Sequence, residues 1–316
     1  MPARLADRLA LAATAVIFCA ALAVLYREFA GVSAREVLAR LAIMTEGQVL
    51  AAAALTAASY LLLTGYDFLA LRYVGRRLRL RDVLLASFTA FAFSNNLGFQ
   101  LLSGGSMRYR VYSSLGLDAV AIGEIVAFCT VAYALGVVTV GGLLALLNPL
   151  EVAAMLNLPQ VAIEAGGLAL LGVTAAYLMA AALWRSPIEL GRYRLRPPRL
   201  SLALAQVALA SVDAVLAGTV LYVLLPADLG LSYQSYLTVY VLGATVSVLS
   251  LVPGGLGVFE TAITVLTAPP SKAAALGAFF AYRIIYFILP LAVALLLFAR
   301  HEVRRKSAKR PAAVPR

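Results

Sequence analysis

The chain has 316 residues, of which 63% are hydrophobic and only 13% charged, and its formal net charge is +11. Soluble domains carry about a quarter charged residues, so this composition, with a mean hydropathy of +0.92, excludes a soluble protein and places the chain in the membrane. The positive excess does not indicate nucleic-acid binding, because it stands beside apolar stretches rather than on a soluble basic surface.

Eight apolar stretches follow in chain order: 7–26, 48–71, 83–103, 117–147, 161–184, 201–226, 235–252 and 274–299. Most are long enough to cross roughly 30 Å of hydrocarbon as helices. The first also fits a signal peptide, with Arg4 and Arg8 ahead of it and Ala21-Leu22-Ala23 as a cleavage site; the topology below uses it as a span. Cys19 and Cys129 lie inside apolar segments without metal spacing or a disulfide framework, which fits packing residues.

Three basic clusters orient the chain: Arg72 to Arg81, Arg185 to Arg199, and the tail from Arg300. By the positive-inside rule all three are cytoplasmic, and with them both termini. The intervening loops near 27–47, 148–160 and 226–234 carry balanced or acidic charge and go outside. Counting crossings then forces 83–116 to enter and leave from the cytoplasm, with its tip near Ser103-Gly104-Gly105. By the same count 235–273 enters and leaves from outside, with its tip near Pro253-Gly254-Gly255. The expected fold is an all-α integral membrane bundle of about six full spans and two re-entrant hairpins, in an inverted-topology repeat. One domain covers 1–299, with halves of about 1–150 and 151–299, and a basic disordered tail covers 300–316. An echo at Tyr73-Val74 and Tyr222-Val223, and at the two Gly-Gly pairs, supports the repeat. Ordinary spans with one misassigned loop are the competing reading.

Ionisable residues at membrane depth are functional candidates because burying a charge in lipid costs several kcal/mol. Arg108 and Arg110 follow Gly104-Gly105-Ser106-Met107, a helix start after a glycine break. They suit a phospholipid phosphate, or they snorkel to headgroups. Glu260, behind Pro253-Gly254-Gly255, suits a cationic group or an ion pair with Arg283 or Arg108. Asp213, mid-span, faces a cavity or a partner. Glu124 lies near the cytoplasmic end of its span, and Asp67 reads as an interfacial carboxylate paired with nearby arginines. Asn95 and Asn96 either satisfy broken backbone or bind a headgroup. Most tyrosines read as an interfacial belt, and His301 as a solvated residue. No nucleotide loop, metal cluster or nucleophile elbow is present, and no cofactor is expected.

Ser94-Asn95-Asn96-Leu97-Gly98, then Leu102-Ser103-Gly104-Gly105-Ser106-Met107-Arg108-Tyr109-Arg110, and later Leu251-Val252-Pro253-Gly254-Gly255-Leu256-Gly257-Val258-Phe259-Glu260, carry a resemblance. With Tyr66-Asp67 and Leu69 to Tyr73, they resemble the flippase region of bacterial lysylphosphatidylglycerol synthase/flippases, the multiple peptide resistance factors. The resemblance implies translocation of phosphatidylglycerol or its lysyl derivative in a bacterial inner membrane, linked to cationic-peptide resistance. It does not imply lysyl transfer, since the family's aminoacyl-transfer domain is absent from this chain. A separate lysyl-phosphatidylglycerol synthase is then an expected partner, alongside membrane phospholipids and a second copy of the chain. The alternative is an integral membrane enzyme, or an accessory subunit, of headgroup transfer.

Overall fold

A computed structural model describes residues 34–42, 44–97, 103–184, 186, 188–190, 193–195, 197–226 and 230–308. The expected first span, 7–26, lies outside them. The described helices are α1 (Ala34–Ala42), α2 (Glu46–Tyr73), α3 (Leu80–Leu97), α4 (Ser103–Ser114), α5 (Ala119–Leu147), α6 (Pro149–Leu156), α7 (Gln160–Leu183) and α8 (Leu200–Leu224). They continue as α9 (Tyr233–Leu249), α10 (Val258–Thr267), α11 (Lys272–Tyr282) and α12 (Leu289–Ala308). A π-helical segment, Arg283–Ile288, joins α11 to α12 without a break. Five of these helical runs are long and apolar enough to cross a membrane: α2, α5, α7, α8 and the continuous stretch Lys272–Val303. The chain is a polytopic helical membrane protein. Its described non-helical ordered pieces are a 3-10 turn at Pro253–Gly255 and a small antiparallel pair, Ile188–Leu190 with Tyr193–Leu195, in the second basic loop.

Helix starts follow their local chemistry. The Thr45 hydroxyl caps α2 by accepting from Gln48 N at 3.2 Å, and the Gln48 side chain accepts from Thr45 N at 3.0 Å. Asp118 caps α5 by accepting from Ala121 N at 2.8 Å, and that bond holds its carboxyl below the ordinary aspartate range.

The centre of the bundle is the α2–α8 pair, which is antiparallel. Gln48 Nε2 donates to Val223 O (3.2 Å), Ser59 Oγ to Asp213 Oδ1 (3.0 Å), and Gly65 lies against Leu209. Lipid tails supply no hydrophobic drive between helices, so close packing of small residues holds them. Ala52 and Ala70 on α2, Ala86, Ala90 and Ala92 on α3, and Ala203 and Ala210 on α8 are buried accordingly.

This pair fixes the geometry of the two hairpins. The α3–α4 hairpin starts from the C-terminal end of α2 and returns to that end, where Arg76 approaches Asp118 at 3.9 Å. The α9–α10 hairpin starts from the C-terminal end of α8, where Asn148 Nδ2 donates to Gln234 Oε1 at 3.0 Å. Because α2 and α8 run in opposite directions, the hairpins penetrate from opposite ends of the molecule. Helix α5 connects one end to the other, and the α11–α12 run returns, bringing Glu302 to Arg110 at 3.0 Å. The order span, hairpin, span therefore recurs in opposite sense in the two halves, as charge and length imply.

Three expectations change. Helix α12 continues to Ala308, so the basic tail expected to be disordered from residue 300 is helical over its first part; apolar packing behind it and good helix formers carry the helix on. The tyrosines are mainly interior: Tyr60, Tyr66, Tyr112, Tyr236, Tyr240, Tyr282 and Tyr286 are buried. Gly104-Gly105 does not form the first tip. It lies inside the first turn of α4, which begins at Ser103; α3 ends at Leu97, and residues 98–102 lie outside the described ones. A Cβ on Gly104 would collide with Ser94 Oγ, so this glycine serves the close approach of the two arms.

Candidate functional site

The tip of the second hairpin meets the C-terminal end of α3 near the middle of α2. Asn95, at the end of α3, donates from Nδ2 to the Tyr60 hydroxyl (3.3 Å), midway along α2. The second tip leaves helical geometry at Pro253–Gly255, with Gly254 at φ +61°. A Cβ on Gly254 would sit 2.7 Å from Asn96 O, so only glycine permits both that backbone conformation and that approach. Gly255 also has positive φ and a Cβ there would meet Ser247 Oγ.

The π-helical segment closes this junction, with Leu289 N donating to Ile284 O, one residue beyond the α-helical register. Pro290 has no N–H, so the carbonyl one α-turn before it, that of Tyr286, lacks its helical donor. The Tyr60 hydroxyl donates to that carbonyl at 3.2 Å. Asn96 Nδ2 donates to the neighbouring Phe287 O at 3.0 Å and to Ala92 O at 2.8 Å. Broken backbone at membrane depth is thus satisfied by side chains of the first hairpin and of α2.

Two ion pairs flank the junction. Arg283, in the π segment, donates from Nε to Glu260 Oε1 (2.7 Å) and from Nη1 to Gly254 O (2.7 Å), and lies over the Phe287 ring at 4.7 Å. The other Glu260 oxygen accepts from Gly257 N at 2.9 Å. One arginine therefore ties the second tip to the last span. Arg108 is held differently: its guanidinium forks onto Asp67 at 3.0 and 2.8 Å, Tyr112 donates to the same carboxylate at 2.8 Å, and Phe91 covers it at 4.6 Å.

Asp213 has hydroxyl partners. It accepts from Ser59 Oγ at 3.0 Å and from Tyr66 OH at 3.1 Å, and Ser59 Oγ lies 3.1 Å from Tyr286 OH. A buried carboxylate bonded to neutral donors at mid-depth can take a proton or a cation without breaking an ion pair. Rings continue from it: Tyr282 stacks on Tyr286 with centroids 5.2 Å apart, and its hydroxyl lies 3.1 Å from that of Tyr240.

The structure brings together Asn95, Asn96, Gly254, Gly255, Glu260 and Arg283, with Pro253 in the backbone of the tip and Asp213 linked to the π segment through Ser59 and Tyr286. Gly104 belongs to the Arg108 cluster, a built Cβ lying 3.3 Å from Arg108 Nη1, and Gly105 packs on Val126. Arg110 is exposed and forks onto Glu302, and Glu124 is half-buried in the second turn of α5, at the end where the first hairpin starts. Asp67 is fully buried, against the expected interfacial position, because Arg108 rather than the Arg72 cluster is its partner. Composition did not single out Ser59, Tyr60 or Tyr286. The signal that could have found them is Pro290, which orphans a carbonyl that some donor must meet. Among the described residues no group of three or more His, Cys, Asp or Glu is placed to hold a metal.

Comparison with known proteins agrees with a membrane protein. The family model described as "Lysylphosphatidylglycerol synthase TM region" matches residues 8–294. Inner membrane protein YbhN of Escherichia coli is 31% identical over 272 residues, covering 84% of this chain and 84% of the relative. The uncharacterised protein slr0712 of Synechocystis sp. is 38% identical over 262 residues, covering 80% of this chain and 81% of the relative.

Proposed function

The chain belongs to the lysylphosphatidylglycerol synthase transmembrane-region family, and from that premise we propose that it moves phospholipid headgroups across a bacterial inner membrane. The observation that carries this reading is the mid-depth contact of Gly254 with Asn96, where two hairpins from opposite ends meet among polar side chains. Interrupted helices at mid-depth in inverted halves are the usual construction of a transport path. Orientation follows the arginine clusters, with residues 72–81 and the C-terminal end of α12 in the cytoplasm.

A headgroup crossing this junction needs a phosphate partner and a partner for its hydroxyl or amine. Arg283 and Glu260 supply both, and exchanging their mutual bond for bonds to lipid costs less than creating new buried charges. Asp213 takes the accompanying proton or the amine of an aminoacylated headgroup. Arg108, expected at the phosphate, already holds Asp67 in this structure, so its role in the path is to fix the first hairpin on α2. The substrate class is phosphatidylglycerol or its lysyl derivative, and resistance to cationic peptides would follow from displaying the latter outside. The test is leaflet exchange of labelled phosphatidylglycerol and lysylphosphatidylglycerol in proteoliposomes containing only this chain. Exchange of either lipid faster than in protein-free vesicles is expected; exchange no faster for both sinks the reading.

A further inference from the structure

Beside the junction, a cleft of about 1300 Å³ runs between α2, α3 and α12. One end is cationic: Arg77, Arg79, Arg81 and Arg300 line it with His301 and a single carboxylate, Asp82. Arg81 already approaches Asp82 at 3.6 Å. Among the described residues no carboxylate pairs with Arg77, Arg79 or Arg300, and the imidazole Nε2 of His301 is buried without a hydrogen-bond partner. The rest of the wall is apolar, made by Leu61, Leu84, Phe88, Val293 and Leu297. Leu61, Leu297 and Val293 are exposed, so this wall faces the surrounding hydrocarbon.

We propose that this cleft is a docking site for an anionic phospholipid of the arginine-side leaflet, with its phosphate among Arg77, Arg79 and Arg300 and one acyl chain along the α2–α3–α12 wall. Charge is the first argument, since unpaired arginines are forked donors matched to phosphate. Length is the second. From Leu61 to the end of α2 at Tyr73 the helix rises roughly 18 Å, close to the about 15 Å that one leaflet's hydrocarbon occupies. The far end of the cleft is the third: Tyr60 lines it, and the Tyr60 hydroxyl accepts from Asn95 at the first hairpin's tip. The docked lipid thus lies next to the junction. That it feeds the junction rests on the translocation reading; the docking itself does not.

The site can be read by quenching. The chain's single tryptophan, Trp184, is replaced (Trp184→Phe) and a reporter is placed on the wall (Leu84→Trp). The full-length protein goes into phosphatidylcholine vesicles carrying a small fraction of either phosphatidylglycerol or phosphatidylcholine with brominated acyl chains. The expected result is several-fold stronger quenching by the brominated phosphatidylglycerol, unaffected by millimolar inorganic phosphate. Arg77→Gln/Arg79→Gln/Arg300→Gln should abolish that preference, while the corresponding lysine replacements keep most of it. Equal quenching by both lipids overturns the proposal, as does a preference that survives the glutamine replacements. Absence of quenching by either lipid also overturns it, because protein then covers the wall. Leaflet exchange in the same vesicles is scored separately. A preference without exchange keeps the docking site and defeats translocation, whereas exchange without preference does the reverse.

Discussion

Asp67 and Arg108 form a forked ion pair of 3.0 and 2.8 Å with neither side chain exposed to solvent. The pair joins α2 to the returning arm of the first hairpin, so it fixes where that hairpin sits. Removing one partner leaves an uncompensated buried charge, which costs about 3–5 kcal/mol. Asp67→Asn should therefore lower thermal stability in detergent by that order. The double replacement Asp67→Leu with Arg108→Met should recover most of it, as read by unfolding monitored through circular dichroism.

The Glu260–Arg283 pair is placed at the junction, so its loss should show in transport beyond any loss of stability. Glu260→Gln and Arg283→Gln are each expected to slow leaflet exchange at least tenfold. Arg283→Lys should be intermediate, because an ammonium can reach Glu260 or the Gly254 carbonyl but lacks the planar fork that joins them. Arg110→Ala, which breaks a surface pair with Glu302, should change exchange by less than twofold.

Asp213→Asn keeps the size of the side chain and an acceptor for Ser59 or Tyr66. The expected outcome is a fold of near-normal thermal stability whose exchange rate falls at least tenfold. An exchange rate equal to that of the unsubstituted protein would exclude Asp213 from the path.

Glycine replacements should separate the two Gly-Gly pairs. Gly254→Ala forces a left-handed conformation on a residue with a Cβ and presses it onto Asn96 O, costing about 2 kcal/mol or more. Gly105→Ala places its Cβ 3.6 Å from Val126, an ordinary contact, within a helix that favours alanine. Stability of the first variant should drop and that of the second should hold or rise, measured in the same detergent.

Sidedness has a direct readout. In a chain with Cys19 and Cys129 replaced, a cysteine at Arg76 should react with an impermeant reagent only from the cytoplasm, and one at Asn148 only from outside. Reaction of both from one side would contradict opposed hairpins.

The hairpins were legible from charge and length because α2 and α8 must run in opposite directions once the arginine loops share a side. Asn148 beside Gln234 and Asp118 beside Arg76 are the contacts that this count demands. Pro253-Gly254-Gly255 was legible as a tip, since proline and glycine cannot continue a helix there. Gly104-Gly105 was not, because glycine marks close approach as readily as a break, and only the position of Ser94 decides between them. The partners of Arg108 were equally hidden: a span's aspartate and a hairpin's arginine reveal their distance only after the arms fold back. The interior tyrosines escaped notice because an amphipathic ring suits a membrane surface and a polar interior alike.

The bonds that Tyr60 and Asn96 of the first half give to the Tyr286 and Phe287 carbonyls of the second have a consequence for assembly. Without the first half, the second would present those carbonyls to oil without these donors. The peptide link through the small β pair near residues 188–195 carries none of those bonds. Cut there, the protein should persist as two fragments that hold together, while the second fragment synthesised without the first should be degraded.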